Sequence, residues 1–328
     1  MVESSYKGLP IRSINHVALE ATNYIDDRRK GNVISLKTPW KKYNDVSMGG
    51  IEWYTMHTIA GASGSGKTAI LNELETGLIE LNPQEDLEVL SFNFEMLARN
   101  LVSRKYSKQL GRTVQQLHSG TDDYEVTDDD FHKILAAQEK VRKLPIFYVD
   151  EAGTVEDIKR TIVNFAKKNP DKGLIVTLDH AVLVNGKQGE MERRILVDLT
   201  KMFKQAMKYF AKINKRFSVI LLSQMNRNVE EMERIGEPGQ QNYPQKRDIF
   251  GGDALYQMSD VVMVTMNPFQ LGLDMYGPHR WPTKGRLYWH FLKVREGEPV
   301  IGAMQNKLFV NEVKDLDLTN QAIDLNNG

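Results

Sequence analysis

Residues 61–68 read GASGSGKT, the G-x-x-x-x-G-K-[ST] spacing, set between the apolar run YTMHTIA and the helix-forming run AILNELE. Glycines let the backbone curl until its N–H groups converge, and the following helix adds partial positive charge at its N-terminus. The segment is therefore a phosphate cradle, and it works only where a strand ends and a helix begins. That requirement commits the chain to an α/β sheet with this loop at its carboxyl edge. Gly61, Ala62, Ser63, Gly64, Ser65, Gly66, Lys67, Thr68 and Ala69 are the candidate nucleotide-binding residues. Lys67 would reach the β- and γ-phosphates, and the Thr68 hydroxyl would hold Mg²⁺.

The rest of the chain has the texture this predicts. Short β-rich runs at 53–60, 88–94, Ile146–Val149, 173–178, 218–222, 260–266 and 287–294 alternate with amphipathic helices, the longest at 190–214. Runs such as LIVTL and SVILL are apolar at consecutive positions, as strands buried on both faces must be. The expected fold is one mainly parallel sheet flanked by helices. Residues 1–45 read as an N-terminal arm with a helix at 14–29, residues 46–312 as the sheet domain, and residues 313–328 as a flexible tail. VIGAMQNKLFV suggests a hairpin turning at Gln305 and Asn306, and 236–247 suggests a mobile loop.

Composition narrows the chemistry. The 328 residues include no cysteine, which removes disulfides, thiolate zinc sites and a cysteine nucleophile. The 43 basic and 43 acidic side chains balance, so a broadly basic nucleic-acid coat is excluded while a local basic channel is not. MVESSYKGLP lacks the apolar core of a secretory signal, and no apolar run approaches the roughly 18 residues of a membrane span. A cytoplasmic location is expected, the host's cytoplasm if the source is viral. The seven histidines show no metal-ligand spacing.

Three further strand ends deliver polar groups to the edge that carries the cradle. LIVTLD ends in Asp179, which suits a Mg²⁺-associated carboxylate. LEVLSFNFE ends in Glu95, where a carboxylate can polarise a water. SVILLSQ ends in Gln224, which can bond the γ-phosphate or the attacking water.

In order, MGGIEWYTMHTIAGASGSGKT, SFNFEM, LIVTLDHAVL, SVILLSQMNR, SDVVMVTM and LKVREGEPVIG resemble the motifs of the RecA-like motor domain of DnaB-type replicative helicases. The likeness spans about residues 22–310. It implies ATP as the nucleotide, Glu95 as catalytic carboxylate, Asp179 as the Mg²⁺ acid and Gln224 as γ-phosphate sensor. It also implies that Lys293 and Arg295, the Lys-x-Arg pair of LKVREG, reach the ATP of a neighbouring subunit in a ring, most often of six. The helix at 14–29, with apolar residues at 14, 17, 18, 19 and 25, matches the family's linker helix, which docks on the next subunit. Only the residues before Ile14 stand where the family carries its larger collar domain. A primase or loader is the further partner the resemblance implies.

Family motors grip single-stranded DNA with loops between the Gln strand and the next one. Here that stretch offers Arg227, Arg234, Lys246, Arg247, Phe250, Gly251 and Gly252. Where the family has an Arg-Glu-Ser-Gly-like loop this chain reads DIFGGDAL. Phe250 would then stack on a base while Gly251 and Gly252 offer backbone N–H groups to phosphate. The expected function is an ATP-driven helicase acting on single-stranded DNA and forked duplex. Two alternatives stay open: a recombinase-like filament that coats single strands, and a regulatory oligomeric ATPase without DNA contact.

Overall fold

The structure, a computed structural model, describes residues 11–119, 126–186, 191–226 and 242–316. The chain divides into two units, Met1–Ser35 and Leu36–Gly328. In the first, helix α1 (Ile14–Lys30) starts at Ser13, whose side chain accepts from the His16 N–H, and ends at Gly31 with φ 76°. Asp26 pairs with both Arg29 and Lys30 along its surface. No α1 residue is buried; Ile14 is 82 % exposed and Leu19 and Ile25 are each 66 % exposed.

The second unit follows the order α2 (Lys41–Val46), β1 (Met56–Gly61), α3 (Lys67–Glu80), β2 (Leu87–Asn93), α4 (Ala98–Leu110), α5 (Val114–His118), α6 (Asp128–Val141), β3 (Ile146–Val149) and α7 (Val155–Lys168). There follow β4 (Gly173–Asp179), α8 (Glu192–Lys212), β5 (Phe217–Gln224), α9 (Gly252–Met258) and β6 (Val261–Met266). Then come β7 (Met275–Tyr276), β8 (Trp281–Pro282), β9 (Arg286–Val294), β10 (Val300–Lys307) and β11 (Glu312–Asp315).

Nine of these strands form one sheet in the order β11-β10-β9-β6-β1-β5-β4-β2-β3. From β6 to β3 every pairing is parallel, and β9, β10 and β11 extend the sheet antiparallel. Alternation divides the core between the two faces. Val219 and Leu221 of β5 pack with α7 and α8, whereas Ile220 and Leu222 pack with α3 and with Trp40 and Tyr43. This is why the strands read as unbroken apolar runs. The expected mainly parallel α/β sheet is the observed fold.

Two boundaries differ from the sequence reading. Residues 36–45, read as arm, enter the core: Leu36 and Tyr43 are fully buried, and Trp40 sits edge-on against Trp289 at 4.9 Å. The Trp40 indole N–H donates to the Val313 carbonyl at 2.8 Å, and Val313, read as tail, is buried in β11. Gln305 and Asn306, read as a turn, lie inside β10, paired with β11 on one side. The reversal comes instead at a 3-10 turn, Leu308–Val310, closed by Asn311 at φ 56°. Asparagine tolerates that left-handed conformation, and the apolar LFV run masked the turn in sequence. Half of the predicted loop at 236–247, residues 236–241, lies outside the described residues, and Lys246 and Arg247 at its end belong to a 3-10 turn, Lys246–Asp248. Among the described residues, no helix is long and apolar enough to cross a membrane.

Candidate active site and nucleic-acid groove

The carboxyl edge of the parallel strands assembles the nucleotide site. Gly61 closes β1 between Gln224 of β5 and Thr265 of β6 in register. A Cβ on Gly61 would lie 2.3 Å from Ser65 Oγ and 2.8 Å from the Thr265 carbonyl, so only glycine fits. Gly64 and Gly66 turn the loop at φ 75° and 90°, which side-chain-bearing residues rarely adopt. The Lys67 ammonium lies inside the curl, donating to the Gly61 and Ala62 carbonyls at 2.8 Å each. Burial lowers its pKa, opposed by the charges of Asp179 and Glu95.

For Gly66→Ala, the new Cβ would meet Leu308 Cδ2 at 2.7 Å in a strained backbone. We expect a stability loss of about 1–2 kcal/mol from the backbone alone. ATP-analogue affinity should fall at least tenfold, read by fluorescence titration beside a thermal melt.

Asp179 ends β4 opposite Asn93 of β2 and is 2 % exposed. Burial pushes its carboxyl up to about 6, with nearby Glu95 adding to the rise; a hydrogen bond from Thr68 and the charge of Lys67 oppose it. Its Oδ1 is buried with no hydrogen-bond partner. An orphaned carboxylate oxygen beside the loop threonine fits a hard divalent cation, so Thr68 and Asp179 would hold Mg²⁺. Glu95 lies exposed just past β2, in the turn whose Phe94 N–H donates to the Asp179 carbonyl at 2.7 Å. The Nδ1 of His180 accepts from the Val182 N–H, and burial lowers its pKa.

Gln224, exposed at the end of β5, leads directly into the candidate nucleic-acid segment. Its carbonyl accepts from the Phe250 N–H at 2.9 Å, Met225 bridges Ile249, and the Asn226 N–H donates to the Asp248 carbonyl at 2.6 Å. These links tie the strand exit to residues 248–250. Beside them runs a groove of about 600 Å³ lined by Arg193, Asn226, Lys246, Arg247 and Phe250.

The groove corrects some of the expected contacts. Lys246 is paired with Asp253 at 2.8 Å and sits over the Tyr256 ring. Phe250 is half-buried against the core, so only part of its ring is open to stacking. The Gly252 N–H already donates to the Ile249 carbonyl, and a Cβ on Gly251 would strike Leu196 at 2.3 Å. Gly251 therefore has a packing reason to be glycine, and Gly252 has no N–H free for phosphate. Arg227 and Arg234 lie outside the described residues.

Lys293 and Arg295 lie at the opposite edge of the sheet. Lys293 is opposite Val262 at the start of β6, whereas the cradle touches Thr265 near its end. The Lys293 ammonium donates to the Tyr256 and Gln257 carbonyls, closing the last turn of α9. Arg295 is 52 % exposed, its Nε 2.6 Å from Asp260 Oδ1.

Against this geometry, the profile of the DnaB-like helicase C-terminal domain matches residues 21–277. The chain belongs to that family. As a DnaB-like C-terminal domain it is an ATP-hydrolysing domain of the replicative-helicase type. Solved structures share its fold. A solved ATPase domain superposes with a TM-score of 0.77 at 19% identity, covering 94% of this chain and 100% of that one. A DnaB-like replicative helicase studied with its primase gives 0.76 at 18% identity, covering 93% of this chain and 69% of that one. No curated protein sequence matches.

Two features of this DnaB-like site escaped the sequence reading. Arg104 of α4 is half-buried in the field of Asp179 and Glu95. Beneath the cradle helix, Glu75 accepts from Ser91 Oγ at 2.5 Å and Thr177 Oγ1 at 2.7 Å, and lies 3.7 Å from the buried Lys105 ammonium. The available signal was helical spacing: Leu101, Arg104 and Lys105 share one face of α4, and Leu101 and Lys105 on it bond to α3.

Proposed function

We propose that this domain is the motor of a replicative DNA helicase, translocating on single-stranded DNA as a ring-shaped homo-oligomer, most often of six, and unwinding forked duplex ahead of it. The observation that carries the reading is the backbone lacing of Gln224 to residues 248–250, which gives the γ-phosphate end of β5 a rigid connection to the groove. The cradle and Lys67 bind the phosphates of ATP, and Thr68 and Asp179 would hold Mg²⁺, which would supply neutralisation of the phosphate charge when bound. Glu95 orients the attacking water, and Gln224 responds to the γ-phosphate and passes its loss to Phe250 and the groove. Arg295 of one subunit completes the site of the next, stabilising charge on the transferred phosphoryl group. Its place on the far edge of the sheet supports action in trans, and Lys293 supports it by fixing α9. The exposed apolar residues of α1 suit docking on a neighbouring subunit. A primase or loader is the expected partner, and the cytoplasm the expected place of work.

The test is ATP turnover with and without single-stranded DNA, then strand separation on a fork. We expect DNA to raise turnover several-fold, and Arg247→Ala to weaken DNA binding while lowering the slope of affinity against salt by about one. If DNA changes nothing, the domain is instead a regulatory oligomeric ATPase, a reading favoured by the pairing of Lys246 with Asp253.

A further inference from the structure

Asp260 stands at a junction of four elements. It directly precedes β6, its N–H donates to the Met56 carbonyl at 2.7 Å, and its own carbonyl accepts from the Arg295 N–H at 2.9 Å. Its Oδ2 accepts from the Met56 N–H at 2.8 Å and from the Lys204 ammonium of α8 at 2.6 Å. The other oxygen, Oδ1, lies 2.6 Å from Arg295 Nε. The carboxylate is largely buried, while the arginine it grips is half exposed.

A guanidinium held at Nε is held by its inner nitrogen, so the terminal amines can still form a forked contact elsewhere. A long, exposed arginine otherwise loses rotamer freedom each time it engages a partner. Here that freedom is already restricted by an anchor which is itself fixed by a backbone N–H and a lysine. Backbone and side chain of Arg295 are both tied to the same residue. A contact evolved only to neutralise a surface arginine would not need an acceptor locked on its other oxygen.

We infer that Asp260 is a positioning residue for trans-acting arginine chemistry: it presents Arg295 outward, with Lys204 and the start of β1 holding it in place. The inference rests on the proposed role of Arg295. Substrate contacts are made by Arg295, and Asp260 acts only through it.

The test is a double-mutant cycle on the full chain with ATP and single-stranded DNA, read as kcat and KM beside a thermal melt. Arg295→Ala, Asp260→Asn and the double variant are compared with the parent. We expect Asp260→Asn to lower kcat at least tenfold with KM for ATP unchanged, and to cost nothing further once Arg295 is alanine. Losses that multiply in the double variant would mean that Asp260 supports the fold and not the arginine, overturning the proposal. So would parent-like kcat in Asp260→Asn beside an inactive Arg295→Ala. Parent-like turnover in Arg295→Ala would remove the trans role itself, a distinct failure. Should Asp260→Asn fail to fold, Lys204→Met loosens the same carboxylate from the partly exposed side of α8. It should lower kcat several-fold in the parent and not in the Arg295→Ala background; an unchanged parent kcat would again overturn the proposal.

Discussion

Mixing two inactive variants should restore ATP hydrolysis. Lys67→Ala removes the ammonium at the centre of the phosphate cradle, and Arg295→Ala removes the arginine on the far edge of the sheet; each alone should lose at least about a thousandfold in turnover. A subunit carrying Arg295→Ala keeps an intact cradle, and one carrying Lys67→Ala keeps an intact arginine. Where they meet in the right order, one whole site forms. Random co-assembly of equal amounts leaves about a quarter of the interfaces complete, so turnover should recover to about that fraction of the parent. The measurement is a titration of one variant into the other at fixed total protein. Turnover that stays flat across the titration would show that the two residues do not share a site. Sheet geometry is the reason to expect recovery: the two residues lie at opposite ends of β6, so within one subunit they cannot meet on the same phosphate.

Asp179→Asn should abolish hydrolysis and stabilise the ligand-free protein. Burial raises the Asp179 carboxyl from 3.8 to about 6, so the folded chain holds a proton there at pH values where the unfolded chain has lost it. The native state binds more protons across that window, and stability falls as pH rises through it. Above pH 6 the full penalty is present, up to about 3 kcal/mol for a shift of this size. Asparagine removes the charge, so a melt at pH 7.5 should rise by several degrees while a melt at pH 4 should barely change. The same titration predicts that Mg²⁺-dependent ATP affinity in the parent weakens below pH 6, as the carboxylate is protonated. A variant that melts lower than the parent at pH 7.5 would show that Asp179 is stabilising as a carboxylate and not strained by burial.

The cradle, the two carboxylates and Gln224 were legible in sequence because each terminates an apolar run, and parallel strands deliver their carboxyl ends to one edge. The parts that were not legible depend on contacts distant in sequence. Trp40 reads as a loop residue until Trp289 and Val313 are brought against it. Val313 follows a turn with no glycine, and its neighbours are charged, so β11 resembles a frayed end. Arg104 lies on a helix whose pattern shows only amphipathicity, and its charge matters because β4 ends beneath it. In the groove, DIFGGDAL suggested backbone amides open to phosphate. A Cβ on Gly251 would strike Leu196 and one on Gly252 would lie 2.5 Å from the Lys246 carbonyl, so both glycines have another reason to be there, and the Gly252 N–H is already bonded to Ile249.

With Arg295 acting in trans as proposed, the separation of cradle and arginine on opposite edges of one sheet would also set how many complete sites an assembly has. Each copy would then carry a nucleotide-binding half on one side and an arginine-bearing half on the other, so the contact would be polar and would give the assembly a direction. Such a contact specifies a rotation between neighbours and not their number; it closes only when the rotations sum to a full turn. A closed ring has as many complete sites as subunits. A chain opened at one interface, as any ring must be to admit a strand without free ends, has one fewer. At the break, one terminal subunit would hold nucleotide with no arginine to act on it, and the other would offer an arginine to nothing. Loading and firing would then be mutually exclusive at that interface, with no separate latch required.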